Sequence, residues 1–125
     1  MNISHIDHLV LTVTDIEATV SFYQRILGME KQTFAHNRVA LIFGNQKINL
    51  HQAGNGFEPK ANAPSPGSAD LCFVIQSPLS VAIQHVRDCG IEILEGPVAR
   101  TGATGPMMSF YFRDPDLNLI ELCHY

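Results

Sequence analysis

The sequence contains no tryptophan, only three cysteines, and no apolar run close to the ~20 residues that a helix needs to cross a bilayer. A membrane-spanning protein is therefore excluded. Cys72, Cys89 and Cys123 form no CxxC pair and have no second cysteine at zinc-finger spacing. They are predicted to be structural thiols in a reducing compartment.

Basic residues are also few. Eight Lys and Arg residues stand against twelve Asp and Glu residues, the formal net charge is −4, and the basic residues are scattered along the chain. Nucleic-acid binding requires a clustered positive surface, so this composition argues against it. The N-terminus lacks the basic and apolar blocks of a signal peptide, which predicts a cytoplasmic protein. A small molecule is the expected partner.

The two halves of the chain repeat each other at an offset of 62 residues. This offset aligns residues 8–13 with residues 70–75, both strand-like, and it aligns Gly28 with Gly90, each of which follows a segment of helical periodicity. Each half is therefore predicted to be a βαβββ module, and the fold class is α+β. We expect a single domain over residues 1–125, made of modules 1–52 and 69–125 and joined by a Gly-, Pro- and Ser-rich linker over 53–68.

Several element boundaries can be predicted within this repeat. Asp15 and Ser77 are the expected N-caps of the two helices, with Pro78 at the first helical position of the second. Residues 91–94 are predicted to form the strand that follows the second helix. The Gly-rich residues 102–106 are either a mobile loop over a site or a plain surface connection.

Strand alternation assigns a direction to four polar side chains. His8 and Asp70 begin the first strand of each module and point away from the apolar positions that would face a helix. His51 lies on the polar side of its strand, and Glu121 is a lone carboxylate inside an apolar run. An unpaired charge there is costly, so Glu121 is expected to have a cation or a strong hydrogen-bond donor as its partner.

His8, His51, Asp70 and Glu121 are thus predicted to occupy matching stations of the two modules. Two imidazoles and two carboxylates suit Zn, Ni, Mn or Fe, and they are too nitrogen-rich for a typical calcium site. His5 is the substitute ligand if the register differs. The alternative for each residue is an ordinary structural role.

Four cations are candidates for binding an anionic substrate, with solvent exposure as the alternative. They are Arg38, Lys47, Arg100 and Arg113. One or two of the aromatic residues at 110–112 are expected to line a pocket.

Three segments of the sequence carry a family resemblance. The chain resembles the vicinal oxygen chelate superfamily in these segments, which are IDHLVLTV at residues 6–13, FYQRILGM at residues 22–29 and FRDPDLNLIEL at residues 112–122. This group includes glyoxalases, bleomycin-resistance proteins and extradiol dioxygenases. The resemblance spans essentially the whole chain and implies two modules whose mixed sheets curl around a metal-binding cleft, the glyoxalase/dioxygenase-like fold.

The resemblance also implies a site and an activity. The family's metal ligands correspond to His8, His51, Asp70 and Glu121, with Glu121 as the candidate catalytic base. Glyoxalase I enzymes usually carry Glu at the station of His51 and His at that of Asp70, so the two types are exchanged here. The implied function is a metal-dependent lyase or isomerase, like lactoylglutathione lyase, acting on a small substrate with vicinal oxygens. A homodimer is implied, with sites near the interface.

Two alternatives remain open at this point. If Asp70 lies outside the metal shell, His8, His51 and Glu121 form the two-His, one-carboxylate set of an extradiol-type dioxygenase. The other alternative is a non-catalytic drug-binding protein of the bleomycin-resistance type, which sequesters its ligand without a catalytic metal.

Overall fold

A computed structural model describes all 125 residues, which divide into two compact units, Met1–Pro66 and Gly67–Tyr125. Each unit contains one helix and one four-stranded mixed sheet. Neither helix is long and apolar enough to cross a membrane.

In unit 1 one strand precedes the helix in the sequence and three strands follow it. Its elements are β1 (His8–Val13), α1 (Ile16–Leu27), β2 (Glu30–Phe34), β3 (Arg38–Phe43) and β4 (Gln46–Gln52), with a short 3-10 turn at Ala35–Asn37 between β2 and β3. The strand order is β1-β4-β3-β2. β1 is parallel to β4, and the other pairs are antiparallel.

Unit 2 repeats this topology. Its elements are β5 (Asp70–Val74), α2 (Leu79–Asp88), β6 (Glu95–Gly102), β7 (Gly105–Arg113) and β8 (Leu119–His124). The strand order is β5-β8-β7-β6, again with one parallel pair between the first and last strands. The predicted α+β class and the repeated βαβββ arrangement are therefore confirmed.

Helix α1 begins and ends where the sequence predicts. The Asp15 carboxylate accepts a hydrogen bond from the Ala18 backbone N–H at 3.1 Å, which satisfies one of the free donors of the first turn. Gly28 closes the helix with φ 67°, a left-handed conformation that glycine adopts without a Cβ penalty. The buried face of α1 carries Tyr23 and Ile26 among other residues, and the helix contacts β2, β3 and β4.

Two predicted boundaries in unit 2 are wrong. Ser77 makes no cap, because Pro78 is itself the N-cap and α2 begins at Leu79 without a side-chain cap hydrogen bond. The strand after α2 is not at residues 91–94 but begins at Glu95. Gly96-Pro97 would normally argue against a strand, but a register shift between Glu95 and Val98 accommodates the pair within β6.

The sheets have two distinct faces. In unit 1 the positions of Leu11, Val13, Ile48 and Leu50 are almost fully buried on the helix side. The intervening positions, beginning with His8, point to the opposite side, which we call the helix-free face. Residues 102–106, expected to be either a mobile loop or a plain surface connection, are the end of β6, a tight turn and the start of β7, which is a plain connection.

Candidate functional site

The helix-free face of unit 2, which lies opposite the buried positions Phe110, Phe112, Ile120 and Leu122, is organised around Glu121. The Tyr111 hydroxyl donates a hydrogen bond to Glu121 Oε1 at 2.6 Å, and Arg100 Nε donates to the Tyr111 oxygen at 2.9 Å. A second guanidinium nitrogen of Arg100 lies 3.2 Å from Glu95 Oε1. β7 and β8 bring Tyr111 and Glu121 into register as cross-strand partners. The predicted strong donor for Glu121 is therefore Tyr111.

This environment keeps Glu121 ionised. Burial raises the pKa of its carboxyl, but the Tyr111 hydrogen bond, the polar neighbours Ser109 and Cys72, and the charge of Arg100 together bring the pKa below its ordinary value. Burial, together with the hydrogen bond to Glu121, raises the pKa of Tyr111. The pair is therefore a carboxylate held by a protonated phenol at neutral pH.

A cavity of about 350 Å³ adjoins this chain of hydrogen bonds. Its lining residues are Leu94, Glu95, Arg100, Tyr111, Arg113 and Leu119. Two of the predicted anion-binding cations, Arg100 and Arg113, thus lie at one cavity together with the predicted pocket aromatic, Tyr111. The cavity is large enough for a small organic molecule.

Asp70 lies on the same face as Glu121. It begins β5, is exposed, and stands opposite Leu119, two positions before Glu121 on the neighbouring strand. Strand geometry therefore separates the two carboxyl-bearing residues by only ~7 Å along the sheet.

The helix-free face of unit 1 has the opposite charge character around His51. Arg38 lies 4.7 Å from the centroid of the Phe57 ring and 5.2 Å from that of Phe34, and Lys47 lies 4.4 Å from the Phe34 centroid. The His51 ring meets Phe57 edge to face with a centroid separation of 5.4 Å. His51 is buried, only 5 % exposed.

His51 is neutral in these surroundings. Burial lowers the pKa of its imidazole, and the charges of Arg38 and Lys60 lower it further. A divalent cation would experience the same two positive charges, so the position of His51 is electrostatically unfavourable for a metal.

Strand register also separates His51 from His8. His8 pairs with Lys47, whereas His51 pairs with Thr12, four residues farther along β1. Their backbone positions lie on one face about 13 Å apart along the strands, and two ligands of one ion must each come within ~2 Å of it. This spacing argues against a metal shared by His8 and His51, and their joint role as ligands stays a prediction.

The register identifies a different partner for Glu121 in the repeat. Glu121 pairs with Cys72, and Asn49 pairs with Val10, the residue 62 positions before Cys72. Asn49, not His51, is thus the structural equivalent of Glu121. The matching stations of His8 and Asp70 agree with the predicted repeat.

His8 keeps a feature that suits a ligand. Its Nδ1 lies 2.7 Å from the Asp7 carboxylate, and the same contact lowers the pKa of Asp7. Metal-binding histidines commonly donate one ring N–H to a carboxylate in this way, which leaves the other nitrogen available. Within either unit, however, no three His, Cys, Asp or Glu side chains assemble into a group that could hold a metal.

Comparison with known proteins identifies the family. The model of the Glyoxalase/Bleomycin resistance protein/Dioxygenase superfamily matches residues 5–122. The chain belongs to this superfamily. The resemblance inferred from residues 6–13, 22–29 and 112–122 is confirmed.

Three relatives show how similar other members are. Virulence protein STM3117 of Salmonella typhimurium is 58% identical over 125 residues, which cover 100% of this chain and 87% of the relative. Glyoxalase domain-containing protein RDO1 of Mycosarcoma maydis is 54% identical over the same length, covering 70% of that protein. The integron cassette protein VCH_CASS1 of V. cholerae is 61% identical with a TM-score of 0.99, covering 100% of this chain and 98% of the other.

Sequence reasoning missed the cluster around His51. Arg38, Phe34 and Phe57 come from β3, β2 and the segment after β4, and no spacing rule joins them. Alternation did place Lys47 and His51 on one face, so half of the cluster could have been found. The role of Tyr111 was also within reach, because its parity opposes that of the buried Phe110 and Phe112.

Proposed function

We propose that the chain is an enzyme of the glyoxalase type, a lyase or isomerase that moves a proton on a small substrate with vicinal oxygens. Glu121 is the proposed proton acceptor. The observation that carries this proposal is the ionised Glu121 carboxylate, hydrogen-bonded by Tyr111 on a polar sheet face beside a cavity. General bases of this kind must be deprotonated before the substrate arrives.

The surrounding residues supply orientation and charge. Tyr111 holds one carboxylate oxygen, and Arg100 holds Tyr111 in turn. Arg100 and Arg113 line the cavity, where they would attract the oxygens of a substrate and stabilise the negative charge that develops as a proton leaves carbon. A proton taken from the carbon next to a carbonyl would rest on Glu121 before its return to the substrate.

A divalent metal remains part of the proposal. The side chains that keep a suitable donor are His8 in unit 1 and Asp70 and Glu121 in unit 2, whereas His51 is set apart by its register and its positive surroundings. When bound, such a metal polarises a substrate oxygen and acidifies the neighbouring carbon. One relative, 28% identical over 123 residues, is named as a metallothiol transferase, FosB of Staphylococcus epidermidis.

The relatives also include an enzyme named as an epimerase. An ethylmalonyl-CoA/methylmalonyl-CoA epimerase of Cereibacter sphaeroides is 29% identical over 132 residues. The extradiol-type alternative needs His8 and His51 on one ion, which the register opposes. Oxygen uptake with a catechol, assayed after loading with Fe²⁺, checks that alternative directly. The homodimer and the cytoplasmic location stay predictions.

The proposal is tested by deuterium exchange. We expect the metal-loaded protein to incorporate deuterium from D₂O next to the carbonyl of α-ketoaldehydes or their adducts with small thiols. Glu121→Gln removes the proton acceptor and should slow this exchange at least ~100-fold. The matched control is Glu92→Gln, which changes an exposed carboxylate outside any strand or helix and should leave the rate unchanged.

Two results would contradict the proposal. One is the absence of deuterium exchange by the wild-type protein with every α-ketoaldehyde and thiol adduct tested. The other is equal exchange rates for Glu121→Gln and Glu92→Gln. Stoichiometric ligand binding without exchange would favour the drug-binding alternative. The antibiotic-binding protein TnmS3 from Streptomyces shares the fold with a TM-score of 0.75 at 21% identity.

A further inference from the structure

Unit 1 contains two buried polar atoms without a hydrogen-bond partner. They are Asn49 Oδ1 and His51 Nε2, and their residues are only 6 % and 5 % exposed. Buried polar atoms in folded proteins are nearly always paired, because leaving one unpaired costs free energy. Both residues lie on β4 at alternate positions, so both point to the helix-free face. Two such atoms side by side indicate a place for a polar ligand.

Two cations on the same face have no acidic partner within salt-bridge distance. The ion pairs of the chain join His8 with Asp7, Lys31 with Glu17, Lys60 with Glu58, and Arg100 with Glu95. Arg38 and Lys47 are in none of them, although both approach the ring of Phe34. Like charges held around one ring repel each other, and an anion placed between them would relieve this repulsion.

The same cations are flanked by apolar area. The rings of Phe34 and Phe57 both lie near the Arg38 guanidinium, with centroids at 5.2 and 4.7 Å. Behind them, the backbone of Gly56 comes so close that a Cβ at this position would lie 3.3 Å from His51 Nδ1. The segment after β4 therefore covers His51 and closes one side of the group.

Acidic residues elsewhere in unit 1 offset the charge of Lys47 more than that of Arg38. Asp7 is hydrogen-bonded to His8 and also interacts electrostatically with Lys47, and Glu58 is paired with Lys60. Glu30 lies in the same row of the sheet as Lys47, because both pair with Ile42, whereas Arg38 is opposite Phe34 at the other end of β2. The surroundings of Arg38 and His51 are therefore positive.

We propose that these residues form a binding site for a small organic anion, which we call the Arg38–His51 site. Arg38 and Lys47 neutralise the anionic oxygens, the neutral His51 and Asn49 hydrogen-bond polar atoms of the ligand, and Phe34 and Phe57 contact its apolar part. The site lies within unit 1 and uses none of the residues of the Glu121 network. It is an additional binding function, independent of the proposed proton transfer.

The site is tested with a charged and a neutral probe of the same shape. Benzoate carries a carboxylate on an apolar ring, and benzamide is its uncharged counterpart. In NMR titrations of the full chain we expect benzoate to shift the side-chain signals of His51 and Asn49 and to bind at least ten times more tightly than benzamide. Inorganic phosphate should compete with benzoate, but more weakly, because it lacks an apolar part.

Variants locate the binding. Arg38→Met removes the charge and keeps the length of the side chain, and it should weaken benzoate binding at least tenfold. Arg87→Met is the matched control, since Arg87 is an exposed residue on α2. Thermal unfolding of both variants checks that they are folded. Equal affinities for benzoate and benzamide, or equal losses in the two variants, would overturn the proposal.

The outcome is separable from that of the proposed enzyme. Glu121→Gln should bind benzoate as the wild-type protein does, because Glu121 is not part of the Arg38–His51 site. Shifts confined to signals of unit 2 would also overturn the assignment.

Discussion

The helix-free faces of the two units have the same backbone arrangement and opposite chemistry. At one pair of equivalent positions, unit 1 has Asn49 with an unpaired oxygen, whereas unit 2 has Glu121 held by Tyr111. Unit 1 presents two cations that are in no salt bridge, Arg38 and Lys47, and unit 2 presents a continuous series of hydrogen bonds from Arg100 to Glu121. A duplicated scaffold can therefore preserve strand register while its two faces acquire different charges and different tasks.

The helices differ as well. Helix α1 buries five residues, whereas α2 buries two, and a cavity of about 530 Å³ beside α2 is lined by Ile83, Pro97 and Met108 among others. Unit 2 is thus more loosely packed on its helix side. Loose packing leaves fewer contacts to lose when a side chain is shortened.

The largest expected effect is a loss of stability, which we compare at two isoleucines of similar burial. Ile26→Ala in α1 should lower the free energy of unfolding by about 4 kcal/mol, and Ile83→Ala in α2 by about 2 kcal/mol, because Ile83 already borders empty space. Urea unfolding of both variants measures the difference. A larger loss for Ile83→Ala would contradict the contrast in packing.

A smaller effect is expected from the hydrogen bond of Tyr111. Tyr111→Phe should cost about 2 kcal/mol at pH 7, as expected for a hydrogen bond to a charged group. The folded pKa of Glu121 is depressed below the ordinary value of 4.5. Its stabilising contribution is therefore present above pH 4.5 and lost as the pH falls through the lower folded pKa.

Urea unfolding at several pH values checks this prediction. The difference between wild type and Tyr111→Phe should shrink in acid. Tyr125→Phe is the control, since the Tyr125 hydroxyl is on an exposed residue and accepts only from the Thr104 backbone N–H. A pH-independent loss in Tyr111→Phe would contradict a stabilising hydrogen bond from Tyr111 to the ionised Glu121.

The smallest effect concerns the pKa of His51. Arg38→Met should raise it, because Arg38 is one of the charges that oppose protonation. A depressed histidine pKa favours the unfolded chain in acid, so this contribution makes stability rise with pH from the folded pKa up to the unfolded value near 6.5. NMR titration of the imidazole measures the shift. Lys31→Met, on the strand β2 beside Glu17, should leave it unchanged.

Much of the fold could be predicted from local signals. Asp15 and Gly28 mark the ends of α1 because caps and left-handed glycines depend on neighbouring residues only. The beginning of β6 could not, since Gly96-Pro97 is tolerated there through a register shift against β7. That compensation involves residues distant in the sequence.

The candidate site, too, could be predicted from the sequence only where local signals decide it. Alternation within a strand correctly placed His8 opposite the apolar positions of β1 and His51 on the same side of β4 as Lys47, but it says nothing about pairing between strands. The register of β1 with β4, set by the packing of both faces, moved the equivalent of Glu121 from His51 to Asn49. Pairing of strands, rather than residue type, therefore decides which polar side chains can act together.

The most direct test of this division of tasks uses a single variant and two readouts. For Glu121→Gln, we predict that deuterium exchange into the α-carbonyl substrate is lost while the affinity for benzoate stays within about twofold of wild type, since such a shift is under 0.5 kcal/mol. Loss of both benzoate binding and deuterium exchange, or retention of both, would contradict two separate sites.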